Sequence, residues 1–180
     1  NKLNECRPEL PGKERMLAYL FLPGNATPPY QTVIYFPGSA PMTIRSSDGM
    51  EDYYEFTMFL SFLIRNGRAV LFPVYKGTFE RGNPELAALV NQTSTYAYNE
   101  FVIQLVRDFR RSIDYLLTRP DIDSGKIAYY GMSWGGSLGG IISAVEDRLK
   151  ASVLTAGGMG ALRARPEVNP VNYVSRVKIP

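Results

Sequence analysis

Histidine does not occur in this chain, although it has 180 residues in which to appear. Histidine is the commonest general base near neutral pH, so any enzymatic reading must find its base elsewhere. Cysteine occurs once, as Cys6. A single thiol excludes an internal disulfide and the paired cysteines of a zinc or redox motif. Long apolar runs are lacking too. None reaches the roughly 18 residues that span a bilayer, and no membrane partner is expected. Asn1 to Pro11 are polar and charged and do not read as a signal peptide. A chain beginning with asparagine is expected to be processed or excised from something longer, and a cytoplasmic location is the expectation.

Neither sign of charge dominates, the net charge being +3. The densest basic cluster, Arg107, Arg110 and Arg111, is interrupted by Asp108 and flanked by apolar residues. That pattern fits the solvated face of a helix, and no nucleic-acid partner is expected. There is no Cys/His cluster for zinc, no P-loop, and no G-x-G-x-x-G after an early strand. Neither a metal nor an organic cofactor is expected.

What is present is an alternation of elements. Glu14 to Leu22 reads as a strand ended by Pro23-Gly24. Gln31 to Phe36 (QTVIYF) is an apolar, β-branched run of the kind buried in a parallel sheet. Ser47-Asp48 reads as the start of a helix, with Glu51 and Asp52 suiting its positive end and Phe56 to Ile64 forming its buried part. Asn66-Gly67 stops it. Arg68 to Tyr75 is the next strand, and Lys76 to Ser94 a long loop. Glu100 to Leu117 carries Val102, Val106, Phe109, Ile113 and Leu116 at spacings of four and three, one apolar helical stripe. Lys126 to Tyr130 is a short strand, Gly135 to Val145 a helix of small residues, and Lys150 to Thr155 a last strand. The order predicts an α/β domain with a mainly parallel sheet and helices on both faces. Residues 1–180 read as one domain.

The chemistry is concentrated in Gly131-Met132-Ser133-Trp134-Gly135. A G-x-S-x-G pentapeptide between an apolar strand and a small-residue helix is the context of a nucleophile elbow. The serine takes a strained backbone conformation on a sharp turn, and bulkier residues two positions away would collide, so glycines flank it. Gly136, Gly139 and Gly140 would let the following helix lie close to the sheet. An acyl-transfer site also needs donors for the oxyanion. One is expected from the backbone N–H of Trp134. The other is expected from the loop Phe36-Pro37-Gly38-Ser39-Ala40, through Ser39 rather than Gly38. Gly38 and Tyr75, both at strand ends on the catalytic side, are candidate pocket residues. The Trp134 ring either covers the acyl site or packs in the core. Tyr53 and Tyr54 read as helix packing residues. Arg81 reads as a solvated loop arginine or, alternatively, a contact for an acidic substrate.

The stretch Arg119 to Gly136 (RPDIDSGKIAYYGMSWGG) resembles the segment through the nucleophile of prolyl-oligopeptidase-like and dienelactone-hydrolase-like α/β-hydrolases. Tyr19 to Ser39 and Tyr75-Lys76-Gly77 are similar too, and the finer resemblance is to hydrolase modules that some bacteria fuse to serine/threonine kinases. Pro37 departs from the histidine common in the oxyanion loop. The resemblance implies the α/β-hydrolase fold and a serine hydrolase acting on a carboxylic ester, a small-molecule substrate. It also implies that the triad Asp and His follow the nucleophile in chain order. Val174 to Pro180 looks like the approach to the acid-bearing strand. The last strands and both triad partners are therefore expected outside these residues, on the rest of the polypeptide or on a second chain that completes the sheet. Asp121, Asp123 and Asp147 read as turn and helix-surface charges. The alternatives are a peptidase of the prolyl-oligopeptidase type and a non-catalytic interaction module of the same fold.

Overall fold

The structure is a computed structural model that describes residues 15–158 and 163–180. The expectations for Asn1 to Pro11, Cys6 and Glu14 lie outside the described residues. Five strands form one sheet: β1 (Ala18–Phe21), β2 (Tyr30–Phe36), β3 (Ala69–Pro73), β4 (Ile122–Met132) and β5 (Ala151–Thr155). Their spatial order is β1-β3-β2-β4-β5. Strands β2 to β5 are parallel, and β1 is antiparallel at one edge.

The period of two along each strand sorts side chains to opposite faces. Ile34, Phe36, Ala69, Leu71, Ile127 and Tyr129 point to one face. There they meet α3 (Tyr96–Leu117) and α4 (Trp134–Val145). Tyr35, Val70 and Phe72 point to the other, under a helical segment that runs through Phe56–Leu60 into α1 (Ser61–Arg65). Right-handed crossovers explain the split. The chain leaves β2 in one direction for β3, then crosses back over β2 to β4 and continues to β5.

Helix α3 begins earlier than its stripe suggests, at Tyr96, because Thr95 Oγ1 accepts the N–H of Tyr98 at 3.2 Å. Tyr98, Phe101 and Leu105 extend the buried stripe, and Arg107, Arg110 and Arg111 are exposed as expected. Ser47-Asp48 does not start a helix. Ser47 is buried, its Oγ lies 2.9 Å from the Tyr19 hydroxyl, and it donates to Glu80 at 2.7 Å. The helix starts later, at Tyr54–Glu55, and passes through one wide π-type turn at Phe56–Leu60. The long loop after β3 contains α2 (Pro84–Ala88), capped by Asn83. Strand β4 runs well before Lys126, and β1 is shorter than its apolar run.

The covering of the sheet is uneven. On the face away from α3 and α4, Val153 of β5 is 54% exposed and its neighbour Tyr130 is half-buried. Along the outer edge of β5, the Ser152 N–H donates to the Pro180 carbonyl at 2.8 Å. No helix among the described residues is long and apolar enough to cross a membrane.

Candidate active site

Order β1-β3-β2-β4-β5 has its switch point between β2 and β4, where the chain turns away in opposite directions. In open α/β sheets this is where ligands bind, outside the carboxyl ends of the strands. The residues following β2 and β4 at that edge are Pro37 to Ser39 and Ser133.

Ser133 joins β4 to α4 with φ 49° and ψ −105°, a conformation that L-residues rarely adopt. It is exposed, whereas Met132 and Trp134 on either side are buried. The turn is tied on every side. The Ser133 N–H donates to the Thr155 carbonyl at 2.8 Å, and the Gly135 N–H donates to the Pro37 carbonyl at 3.1 Å. The Tyr129 hydroxyl donates to the Gly135 carbonyl at 2.6 Å. A Cβ on Gly131 would lie 2.5 Å from the Gly135 carbonyl oxygen, and one on Gly135 would collide with the Phe36 carbonyl. The flanking glycines are thus demanded by backbone-to-backbone contact. Gly136 plays a similar part against the Thr155 carbonyl, and Gly139 makes room for the Leu154 and Tyr129 side chains.

Trp134 opens α4, so its N–H has no intrahelical acceptor and is available at the helix's positive end. Its ring, 8% exposed, stands edge-on to Phe36 at 5.4 Å and stacks with Phe101 at 5.8 Å. Of the two uses open to that ring, core packing is the one seen. In the β2 loop the two amides differ. Gly38 donates its N–H to Glu55 at 3.2 and 3.3 Å, whereas Ser39 is exposed and its N–H has no acceptor among the described residues. A Cβ on Gly38 would sit 3.6 Å from Ser133 Cβ, so this loop and the elbow are neighbours.

Tyr75 does not line an open pocket. It is fully buried, stacks on Phe36 at 4.0 Å and donates its hydroxyl to the Tyr35 carbonyl at 3.1 Å. Burial pushes its phenol well above the ordinary value. Arg81 is engaged within the protein, bonding the Val74 carbonyl at 2.7 Å and Asp108 at 2.6 Å. Asp121 pairs with Arg119 at 2.6 Å and Asp123 with Lys126 at 3.0 Å, both near the start of β4 and away from Ser133. Asp147 is exposed past the end of α4.

One residue of this neighbourhood had no signal in the periodicity. Glu55 is 1% exposed and accepts from Gly38 N–H, from the Tyr35 hydroxyl at 2.9 Å and from the Tyr54 hydroxyl at 3.0 Å. The only clue was an acidic residue within the largely aromatic and apolar run Tyr53 to Leu60. A surface cleft lined by Asn25, Tyr30, Arg65 and Arg68 lies at the opposite edge of the sheet and takes no part in this site.

Several solved structures share this fold. A candidate dienelactone hydrolase from Klebsiella pneumoniae superposes with a TM-score of 0.65 at 18% identity, over 94% of this chain and 66% of its own. Acylaminoacyl peptidase from Pyrococcus horikoshii gives 0.62 at 16%, over 91% and 28%. Est1E from Butyrivibrio proteoclasticus, solved with ferulic acid bound, gives 0.54 at 18%, over 79% and 49%. The chain therefore spans less than two thirds of the length of each. These matches establish the α/β-hydrolase fold and give no support to a kinase-fused module as nearer kin. Comparison with curated proteins gives no significant match. The dienelactone hydrolase family profile matches residues 18–180, from β1 through the C-terminal run, and the chain belongs to that family.

Proposed function

We propose that this chain carries the nucleophile half of a serine hydrolase acting on carboxylic esters. The observation that carries the reading is Ser133, exposed at the switch point in a strained turn that backbone contacts hold from three sides. Ser133 Oγ attacks the ester carbonyl, and the Trp134 and Ser39 amides receive the oxyanion. The C–O bond to the alcohol breaks, the alcohol leaves with the proton taken from Ser133, and water then releases the acid. The proton-transfer base and its orienting acid are a His and an Asp outside these 180 residues, brought by further strands beside β5. The domain is then one α/β-hydrolase unit of which residues 1–180 form part. The exposed Val153 supports this, because elements packed over the face of the completed sheet would cover it.

The test is fluorophosphonate labelling and p-nitrophenyl acetate hydrolysis by the full-length gene product and by Ser133→Ala. Labelling and turnover lost in the variant support the reading. Turnover unchanged by the substitution overturns it, and selective cleavage of acyl-peptide anilides would replace ester with peptide. The 180-residue chain alone should be slower than the full-length protein by about 10²–10⁴-fold, the usual worth of a general base.

A further inference from the structure

Glu55 belongs to no part of the mechanism above, yet it touches the loop that the mechanism uses. Burying a carboxylate costs several kcal/mol unless donors surround it. Here the donors are Tyr35, Tyr54 and the Gly38 amide. Burial, and next the Glu55 charge, push the Tyr35 phenol well above its ordinary value, so it remains a donor. The point where a Gly38 Cβ would sit is 2.9 Å from Glu55 Oε1 and 3.6 Å from Ser133 Cβ. Carboxylate and nucleophile therefore flank the same glycine. With three donors directed at it, the carboxylate is occupied as an acceptor and is poorly placed to serve as the missing base.

Resting on Ser133 as nucleophile, we infer that Glu55 is the positioning residue of the oxyanion hole. Its carboxylate draws the Gly38 N–H inward and fixes the Pro37–Gly38 peptide. The next amide, Ser39, is held from its other side by the turn in which Met42 N–H donates to the Ser39 carbonyl at 3.0 Å. Between these two restraints Ser39 N–H is left as the donor the loop presents. The proximity of an anion to an oxyanion is an electrostatic cost, and the fixed amide offsets it by needing no reorganisation during reaction.

The experiment uses the full-length gene product, p-nitrophenyl acetate, and a boronic acid as a tetrahedral-intermediate analogue. Glu55→Ala should lower kcat by about 10–100-fold, less than deletion of a hole donor outright, with KM within about 3-fold. Boronate affinity should fall in parallel. Glu55→Gln keeps an acceptor oxygen for Gly38 and should recover kcat to within about 5-fold. Should Glu55→Ala fail to fold, Tyr35→Phe removes one donor and should lower kcat and boronate affinity together by about 2–5-fold, again at constant KM. Parental kcat and boronate affinity in Glu55→Ala, or in Tyr35→Phe where it stands in, would overturn the inference. So would Glu55→Gln as impaired as Glu55→Ala. If the parent shows no Ser133-dependent turnover, the functional reading itself fails and takes this inference with it.

Discussion

Ser133 hangs from Thr155: its N–H donates to the Thr155 carbonyl at 2.8 Å, so the elbow of β4 is tied to the end of β5. The carbonyl of Ser133 is held as well, accepting the Ser137 N–H at 2.9 Å. Both halves of its backbone are anchored, which is how a positive φ persists at a residue with a Cβ.

The first prediction follows from that strain. Ser133→Gly relieves a conformation costing about 1–3 kcal/mol and loses about 0.5–1 kcal/mol through the freer unfolded chain. The strain is the larger quantity, so the variant should be more stable by about 1 kcal/mol, a rise in Tm of roughly 2–4 °C. Calorimetry checks it, and a lower Tm would contradict the strain argument. Labelling by fluorophosphonate should vanish in the same variant.

Gly135→Ala should do the reverse. The added methyl group meets the Phe36 carbonyl, which belongs to the central strand and cannot retreat. Overpacking of this kind costs about 1–3 kcal/mol, and a backbone obstacle puts the value at the upper end. The urea midpoint should fall by about 1 M or more. Gly24→Ala, with nothing within 4 Å of the new Cβ, is the control and should leave the midpoint nearly unchanged.

The parts of this fold legible in the sequence were those with a local signature. Strands β2 and β3 announce themselves as continuous apolar runs, helix α3 through the spacing of its apolar stripe, and the elbow through glycines demanded by contact. The start of β4 was hidden by the polar run Asp123-Ser124-Gly125, an irregularity in the ladder, since the pairing with β2 passes from Ile122 directly to Ile127. Tyr75 was placed on the correct edge, but which way a strand-end side chain turns depends on a neighbour 39 residues earlier, Phe36, on which it stacks. Ser47 has the character of a helix cap, yet Tyr19 and Glu80 capture it. Glu55 and Gly38 stand 17 residues apart with no period linking them. Only the folded chain brings a buried carboxylate beneath that amide.

A pH dependence follows from Glu146, which is 3% exposed. Burial pushes its carboxyl up, but hydrogen bonds from Arg148 and the charges of Arg148 and Arg110 outweigh it, and the net shift is downward. Arg148 grips it at 2.6 Å and also holds Asp114 at 2.7 Å, whose carboxyl is lowered mainly by that bond. For carboxyls lowered in the folded state, the stabilisation is complete above the unfolded value, near 4.3 for Glu and 3.9 for Asp by model peptides, roughly. It is lost as pH falls through the folded values. Denaturation at pH 7 and at pH 3 should show the loss. Arg148→Ala should cost about 1–3 kcal/mol at neutral pH, because the buried Glu146 loses its closest partner and keeps only Arg110 at 3.3 Å, and should flatten the acid dependence. An unaltered acid limb would contradict the assignment.

Val153 and Leu154, 54% and 39% exposed, give a prediction about association. Among the described residues β5 is bonded along its outer edge only at Ser152, to Pro180, and its Val153 face is bare, an arrangement that invites association. The 180-residue chain alone should self-associate in sedimentation velocity at micromolar concentrations, and Val153→Lys should return it toward the monomer. A parent chain already monomeric would argue that β5 needs no cover.

The connection from β3 to α3 is long, but its first part is clamped. Asp108 on α3 accepts the Lys76 N–H at 2.8 Å and the Arg81 guanidinium at 2.6 Å, and Gly77, Thr78 and Phe79 are buried. Past Asn83 the same connection runs largely at the surface, through Glu85, Ala88, Asn91 and Gln92. To a protease these are two different substrates. Cleavage requires the chain to leave its bed, so the clamped half should be cut slowly even where its sequence is attractive, and nicking should gather between α2 and α3. A chain cut there would keep its two pieces together through the buried face of α3, with the route into the nucleophile turn undisturbed.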